Sequence, residues 1–248
     1  MTVKAQKKKS PLKAAPLRNP GQSLDEEMKR LVENDVDPYL VVAGATIVLA
    51  FTEWYQWFAS MPPQPIIYTV IALLVVGIAA FKVVRARRKF RRLKLARDGE
   101  KAVGQYLDAL REKGYRVLHD MVGDKFNIDH VLIGPAGVFT IETKTISKPS
   151  KGQAVIEYDG EHLKVGGYAP DRDPILQGKA QMSWLRELLQ ETTGKNYVVR
   201  SLVMYPGWFV EAPVQKAKID VLVLNPKVLP SFLAKSETRL SLEDIKLI

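Results

Sequence analysis

Three charged residues set in apolar, strand-like sequence are those best suited to do chemistry in this chain: Asp129, then Glu142 and Lys144 thirteen and fifteen positions later. Two carboxylates with water make the oxygen-rich, partly hydrated donor set that Mg²⁺ prefers. An ion held there can polarise a phosphate and lower the pKa of an attacking water. A lysine beside it can position that water or stabilise negative charge developing on the phosphorane. These residue types point to metal-dependent hydrolysis of a phosphodiester.

The elements that must position them are two strands. Asn127–Ile133 and Gly137–Lys144 alternate as strands do and flank Gly134-Pro135-Ala136, which predicts a hairpin. Along the second strand, Phe139 and Ile141 face one side, and Val138, Thr140, Glu142 and Lys144 the other. Glu142 and Lys144 are then about 7 Å apart on one face. Pairing the strands brings Asp129 near Thr140–Glu142. The same residues could equally form a surface ion pair on an edge hairpin, and spacing alone does not decide. His130, next to Asp129, must point to the opposite face and reads as a core or surface histidine rather than a general base. Lys148 and Lys151 read as residues of a solvated loop, with phosphate contact as the second reading.

Around this hairpin the residues from about 97 onward have the pattern of an α/β domain. The pattern predicts a helix over Phe90–Lys113 with Val103, Leu107 and Leu110 on one stripe and Gly114 as its stop. A strand over Tyr115–His119 follows, then the hairpin. A second hairpin is expected around Asp159-Gly160, over Ala154–Tyr158 and His162–Val165. Asp173-Pro174 opens a helix that runs to about Glu191. Strands over Tyr197–Tyr205 and Asp220–Leu224 and one or two short C-terminal helices complete the chain. The fold class is α/β, a mixed sheet flanked by helices.

The first 96 residues differ. They hold 16 Lys/Arg against 7 Asp/Glu, a net +9, whereas residues 97–248 hold 21 against 20. Residues 1–37 read as a basic, largely disordered arm with a short helix over Ser23–Asp37, Ser23 being its N-cap. Tyr39–Phe58 and Pro65–Val84 are apolar runs of about twenty residues, the length a helix needs to cross ~30 Å of hydrocarbon. Trp54, Tyr55, Trp57 and Phe58 close the first run as an interfacial aromatic belt would. The segment 85–96 is basic, with Arg85, Arg87, Arg88, Lys89, Arg91, Arg92 and Lys94, and the connecting loop has no charge. The positive-inside rule then places both ends in the cytoplasm, with the protein as a multi-pass component of the inner cell membrane and the basic cluster against anionic headgroups. The basicity is thereby accounted for without nucleic acid. The chain has no cysteine, which excludes disulfides and thiolate metal sites, and its three histidines form no zinc-ligand cluster.

Further motifs extend the constellation. Glu100 follows Gly99 on the first domain helix, and Gln177 and Gln181 lie one turn apart on the second. From Asp98-Gly99-Glu100 through Asn127-Ile128-Asp129-His130 and GVFTIETK (137–144) to Pro174-Ile175-Leu176-Gln177, the sequence resembles the NERD domain, the nuclease-related domain, over roughly 97–210. That family is assigned to the PD-(D/E)xK nuclease superfamily, which includes restriction endonucleases. The resemblance implies a restriction-endonuclease-like fold. It also implies a metal site of Asp129, Glu142 and Glu100 for Mg²⁺ or Mn²⁺, a catalytic Lys144, and a Gln177 that orients the site or the nucleic-acid backbone. Ile128 stands where the superfamily often has proline. The function expected is a membrane-anchored, metal-dependent nuclease acting on nucleic acid in the cytosol, DNA favoured over RNA. The alternative is a non-catalytic, membrane-tethered module that binds nucleic acid or protein on the same fold.

Overall fold

The computed structural model describes residues 18–59, 65–123, 126–149, 154–211 and 219–248. The expectations for residues 1–17, for the 61–64 connection and for Lys151 lie outside these.

The chain opens with three helices: α1 (Gln22–Asp35), α2 (Asp37–Phe58) and α3 (Pro65–Asp108). Within α1, Met28 and Leu31 are buried, as an amphipathic helix requires. The N-cap is Gly21, in the left-handed region at φ 70°, and not Ser23 as the sequence suggested. Ser23 lies inside the first turn, because a carboxylate distant in sequence takes over the capping.

α3 is a single helix of 44 residues. The second apolar run, the basic stretch and the first helix of the α/β domain, expected as separate segments, are one rod. No proline interrupts residues 66–108, so a change of surface composition does not break the backbone ladder. α2 packs along it. The buried residues in the first half of α3 are Ala72, Ala79 and Ala86, each seven apart, and small side chains at this period let two helices approach closely. Trp54 Nε1 donates to Thr69 Oγ1 at 3.1 Å across the pair. Two helical stretches, Gln22–Phe58 and Pro65–Lys113, are long and apolar enough to cross a membrane.

After a one-turn 3₁₀ helix at Arg111–Lys113 and Gly114 (φ 82°), the chain enters a five-stranded mixed sheet of order β1-β2-β3-β6-β8. Its strands are β1 (Arg116–Val122), β2 (Asn127–Gly134), β3 (Gly137–Thr143), β6 (Val199–Met204) and β8 (Val221–Leu224). β1, β2 and β3 pair antiparallel, and β6 and β8 extend the sheet in parallel. The parallel step from β3 to β6 needs a crossover, supplied by α4 (Pro174–Thr193). All seven residues of β3 are buried, as expected of a central strand covered on both faces. Phe139 and Ile141 pack with Val103 and Leu107 of α3 and with Leu110 just beyond it, while Val138 packs with Met182, Leu185 and Leu189 of α4.

β4 (Val155–Tyr158) and β5 (Leu163–Val165) form the second hairpin. A further strand, β7 (Phe209–Glu211), which local sequence did not signal, adds to β4 in parallel and makes a separate three-stranded sheet. Two short helices, α5 (Leu229–Ala234) and α6 (Leu242–Leu247), end the chain. The domain is a mixed α/β fold.

Candidate functional site

β2 and β3 pair with His130 opposite Ile141, so one step further Asp129 falls opposite Glu142 on the face covered by α4. Asp129 Oδ2 accepts the backbone N–H of Thr143 at 2.6 Å, which closes the strand pair at this end. Glu142 is 4% exposed. Its Oε1 receives Lys144 Nζ at 2.6 Å, and its Oε2 receives Gln181 Nε2 at 2.6 Å.

The backbone of Lys144, one residue beyond β3, is held by its N–H bond to Met204 O at 2.8 Å. Its Nζ also donates to Gln177 Oε1 at 2.8 Å. α4 can present both glutamines because its start is fixed. Pro174 occupies the first turn, and the N-cap Asp173 accepts from Ile175 N at 2.8 Å and from Leu176 N at 3.4 Å. Four residues apart, Gln177 and Gln181 then lie on one face of the helix.

Glu100 reaches the cluster from α3. It can do so because the residue before it is glycine. A Cβ on Gly99 would collide with the Thr145 side chain, so only glycine lets the helix pass this close to the strand exit. Burial and the negative charges of Asp120 and Glu142 push the Glu100 carboxyl up to about 8, against the pull of Lys144 and of the Gly21 N–H. Burial and the charges of Glu142 and Glu100 also raise Asp129 well above the usual carboxylate range. Each negative charge here disfavours the next; Lys144 pairs directly with Glu142, and its charge also pulls against the rise at Glu100 and Asp129.

All five residues singled out from sequence thus lie in one place. Glu142, Lys144 and Gln177 are joined by hydrogen bonds, Asp129 sits across the strand pair, and Glu100 closes the cluster from α3. Local patterning gave no site role to two others. Gln181 is 1% exposed and bonds both Glu142 and the Asn127 carbonyl (3.1 Å); its four-residue spacing from Gln177 was the available signal. Asp120, 1% exposed at φ 51°, had none, since its partners lie about a hundred residues away. His130 is fully buried on the opposite face of the sheet from Asp129. Its Nδ1 is 2.9 Å from His119 Nδ1, and His119 Nε2 is 3.2 Å from Asp108 Oδ1. Burial holds the His130 imidazole down to about 3, so it is neutral.

The donors available for a metal are hard oxygens in an electron-rich, undercompensated pocket, which suits a divalent cation in type and charge. As the structure stands, no group of three acidic or histidine side chains among the described residues converges closely enough to hold an ion. Both oxygens of Glu142 are occupied by protein donors.

Residues 95–206 match the family model described as "Nuclease-related domain", NERD. An uncharacterized protein of Bacillus anthracis is 45% identical over 51 residues, a stretch covering 18% of this chain and 24% of that relative. The chain therefore spans about a quarter of that relative's length. Protein VC1899 from Vibrio cholerae, known from its crystal structure, aligns over 88% of this chain and 56% of its own at 10% identity, with a TM-score of 0.28.

Proposed function

We propose that this protein is a metal-dependent nuclease, its domain from about residue 97 held at the cytoplasmic face of a membrane by α2 and the apolar half of α3. The observation that carries the reading is Lys144 Nζ, bridged between Glu142 at 2.6 Å and Gln177 at 2.8 Å beside a second, high-pKa carboxylate at Asp129. An amine in this position suits a water or a phosphorane oxygen as its third partner.

Glu100, Asp129 and Glu142 would hold Mg²⁺ or Mn²⁺, which when bound supplies Lewis-acid polarisation of the phosphate and a more acidic water. The chain's own groups do the rest. Gln177 fixes the direction of the Lys144 amine. Gln181 fixes the plane of the Glu142 carboxylate. The Thr143 N–H holds one oxygen of Asp129 and leaves the other to the cluster. The membrane part of the reading is supported by what α2 and α3 leave uncovered. Phe51, Phe58, Ile66, Leu73 and Leu74 are all more than 60% exposed, the opposite of a buried core pair.

A digestion panel of circular and linear DNA and RNA tests this, using the full chain with Mg²⁺, Mn²⁺ or EDTA. Wild type should cleave with metal only, and Glu142→Ala should not. Equal cleavage by both would assign the activity to a contaminant.

One observation favours a second reading, a non-catalytic binding module: Glu142 is already satisfied by Lys144 and Gln181. That reading expects nucleic-acid or protein binding unchanged by EDTA and by Asp129→Ala.

A further inference from the structure

The N-terminal segment ahead of α1 is tied into the site by an ion pair no local motif announces. Asp120 Oδ2 accepts Arg18 Nε at 2.6 Å and the Ser23 backbone N–H at 2.9 Å, while its Oδ1 accepts Ser23 Oγ at 2.6 Å and Asn127 Nδ2 at 3.4 Å. Gly21 has no side chain with which to cap α1, so Asp120 does this from β1. The position demands a left-handed backbone (φ 51°), which aspartate tolerates better than most residues. Flanking contacts repeat the docking. Pro20 lies against Gly104, where a Cβ would stand 2.7 Å from its ring, and Asp25 of α1 pairs with Arg97 at 3.0 Å and Lys101 at 2.9 Å.

From this clasp one chain of hydrogen bonds leads to the carboxylates. Asn127, which donates its amide to Asp120, offers its carbonyl to Gln181 Nε2 at 3.1 Å, and the same Nε2 holds Glu142 Oε2.

We propose that Arg18–Ser23 and Asp120 are part of the site: Asp120 is a positioning residue that clamps the N-terminal segment over α3 and, through Asn127 and Gln181, holds Glu142 in place. The segment is then a working wall of the domain. Cutting the protein at residue 95, where the family match begins, would remove it. The effect on turnover rests on the nuclease reading, but the clamp itself does not.

The test uses the full chain in detergent with Asp120→Ala, Asp120→Asn, Arg18→Ala and Arg18→Lys. It reads amide hydrogen exchange, unfolding midpoint, and kcat and KM for cleavage. Asp120→Ala should speed exchange at 18–26 roughly five- to tenfold and loosen 142–144 with it. It should also lower kcat roughly ten- to a hundredfold at little-changed KM. Arg18→Ala, at a partly exposed position that does not threaten the fold, should do the same more weakly. Arg18→Lys and Asp120→Asn should recover much of each loss. Faster exchange confined to 18–26, with 142–144 as in wild type, would overturn the proposal, as would unchanged exchange in both alanine variants. A wild type that cleaves nothing would remove the nuclease reading, and exchange at 142–144 would still decide the clamp.

Discussion

Lys144 Nζ donates to Gln177 Oε1 at 2.8 Å, joining the exit of the central strand to the first turn of α4. The bond gives the amine a direction that its four-carbon stem would otherwise leave free. Lys144→Ala removes the cation and should lower metal-dependent cleavage roughly 10²- to 10³-fold. Gln177→Ala removes only the guide and should cost roughly ten- to a hundredfold. Single-turnover cleavage rates check the order, and a larger loss for Gln177→Ala would reverse the roles.

Gln181 is buried, with its Oε1 unpartnered among the described residues and its Nε2 shared between Asn127 O and Glu142 Oε2. Gln181→Ala should destabilise the domain by about 1–3 kcal/mol, because it leaves Glu142 short of a donor in a buried place. Gln181→Glu should be worse, since it sets a second carboxylate against the first. Chemical denaturation measures both, and a more stable Gln181→Glu protein would contradict the polarity of this pocket.

Stability should depend on pH with a sign set by buried carboxyls on one side and a buried histidine on the other. Glu100 ionises near 4.5 when unfolded and only at about 8 when folded, so the folded chain holds the extra proton in that window and stability falls as pH rises through it. His130 protonates near 6.5 when unfolded but only at about 3 when folded, so stability falls as pH drops through that window. The two oppose each other from 4.5 to 6.5. Above 6.5 the histidine no longer offsets the raised carboxyls, Asp129 among them, and without divalent metal the Glu100 share of the loss by pH 8 should be about 2 kcal/mol. Thermal melts in EDTA at pH 6.5 and 8 measure it. Glu100→Gln should flatten the slope, and so should saturating Mg²⁺. A midpoint that rises over this range would show that Glu100 is already ionised.

Gly99 admits Thr145 where any side chain would collide. Gly99→Ala should therefore destabilise by about 1–3 kcal/mol despite the better helix propensity of alanine. Opening space opposite, in Gly99→Ala with Thr145→Gly, should restore part of it. Thermal midpoints of the single and double variants decide, and a stabilised single variant would refute the close approach.

The strands that carry the candidate residues were legible because alternation and turn chemistry act locally. Asn127–Ile133 and Gly137–Lys144 were expected, and Asn127–Gly134 and Gly137–Thr143 are observed. The Asp173-Pro174 start of α4 is likewise a local signal. What stayed hidden depended on distant partners. Ser23 with Glu26 looks like a capping pattern, but Asp120 supplies the cap, and no rule of spacing links residues 97 apart. β7 is three residues long and exists because the edge of β4 is there to pair with it. The unbroken α3 was not legible for another reason: surface composition changes twice along it, while no proline interrupts residues 66–108 to stop the helix.

That continuity has a geometric consequence. Residues 65–84 and Glu100 share one axis, so where the apolar stretch lies in a bilayer, the site stands at a set height above it, about 24 Å from Val84 to Glu100 at 1.5 Å per residue. The phase of the same helix sets which way the site looks. One residue added between 85 and 97 would turn it by about 100° relative to the membrane, and two would aim it nearly backwards. Access to the site is then a matter of clearance and bearing, both set by the length of a single rod.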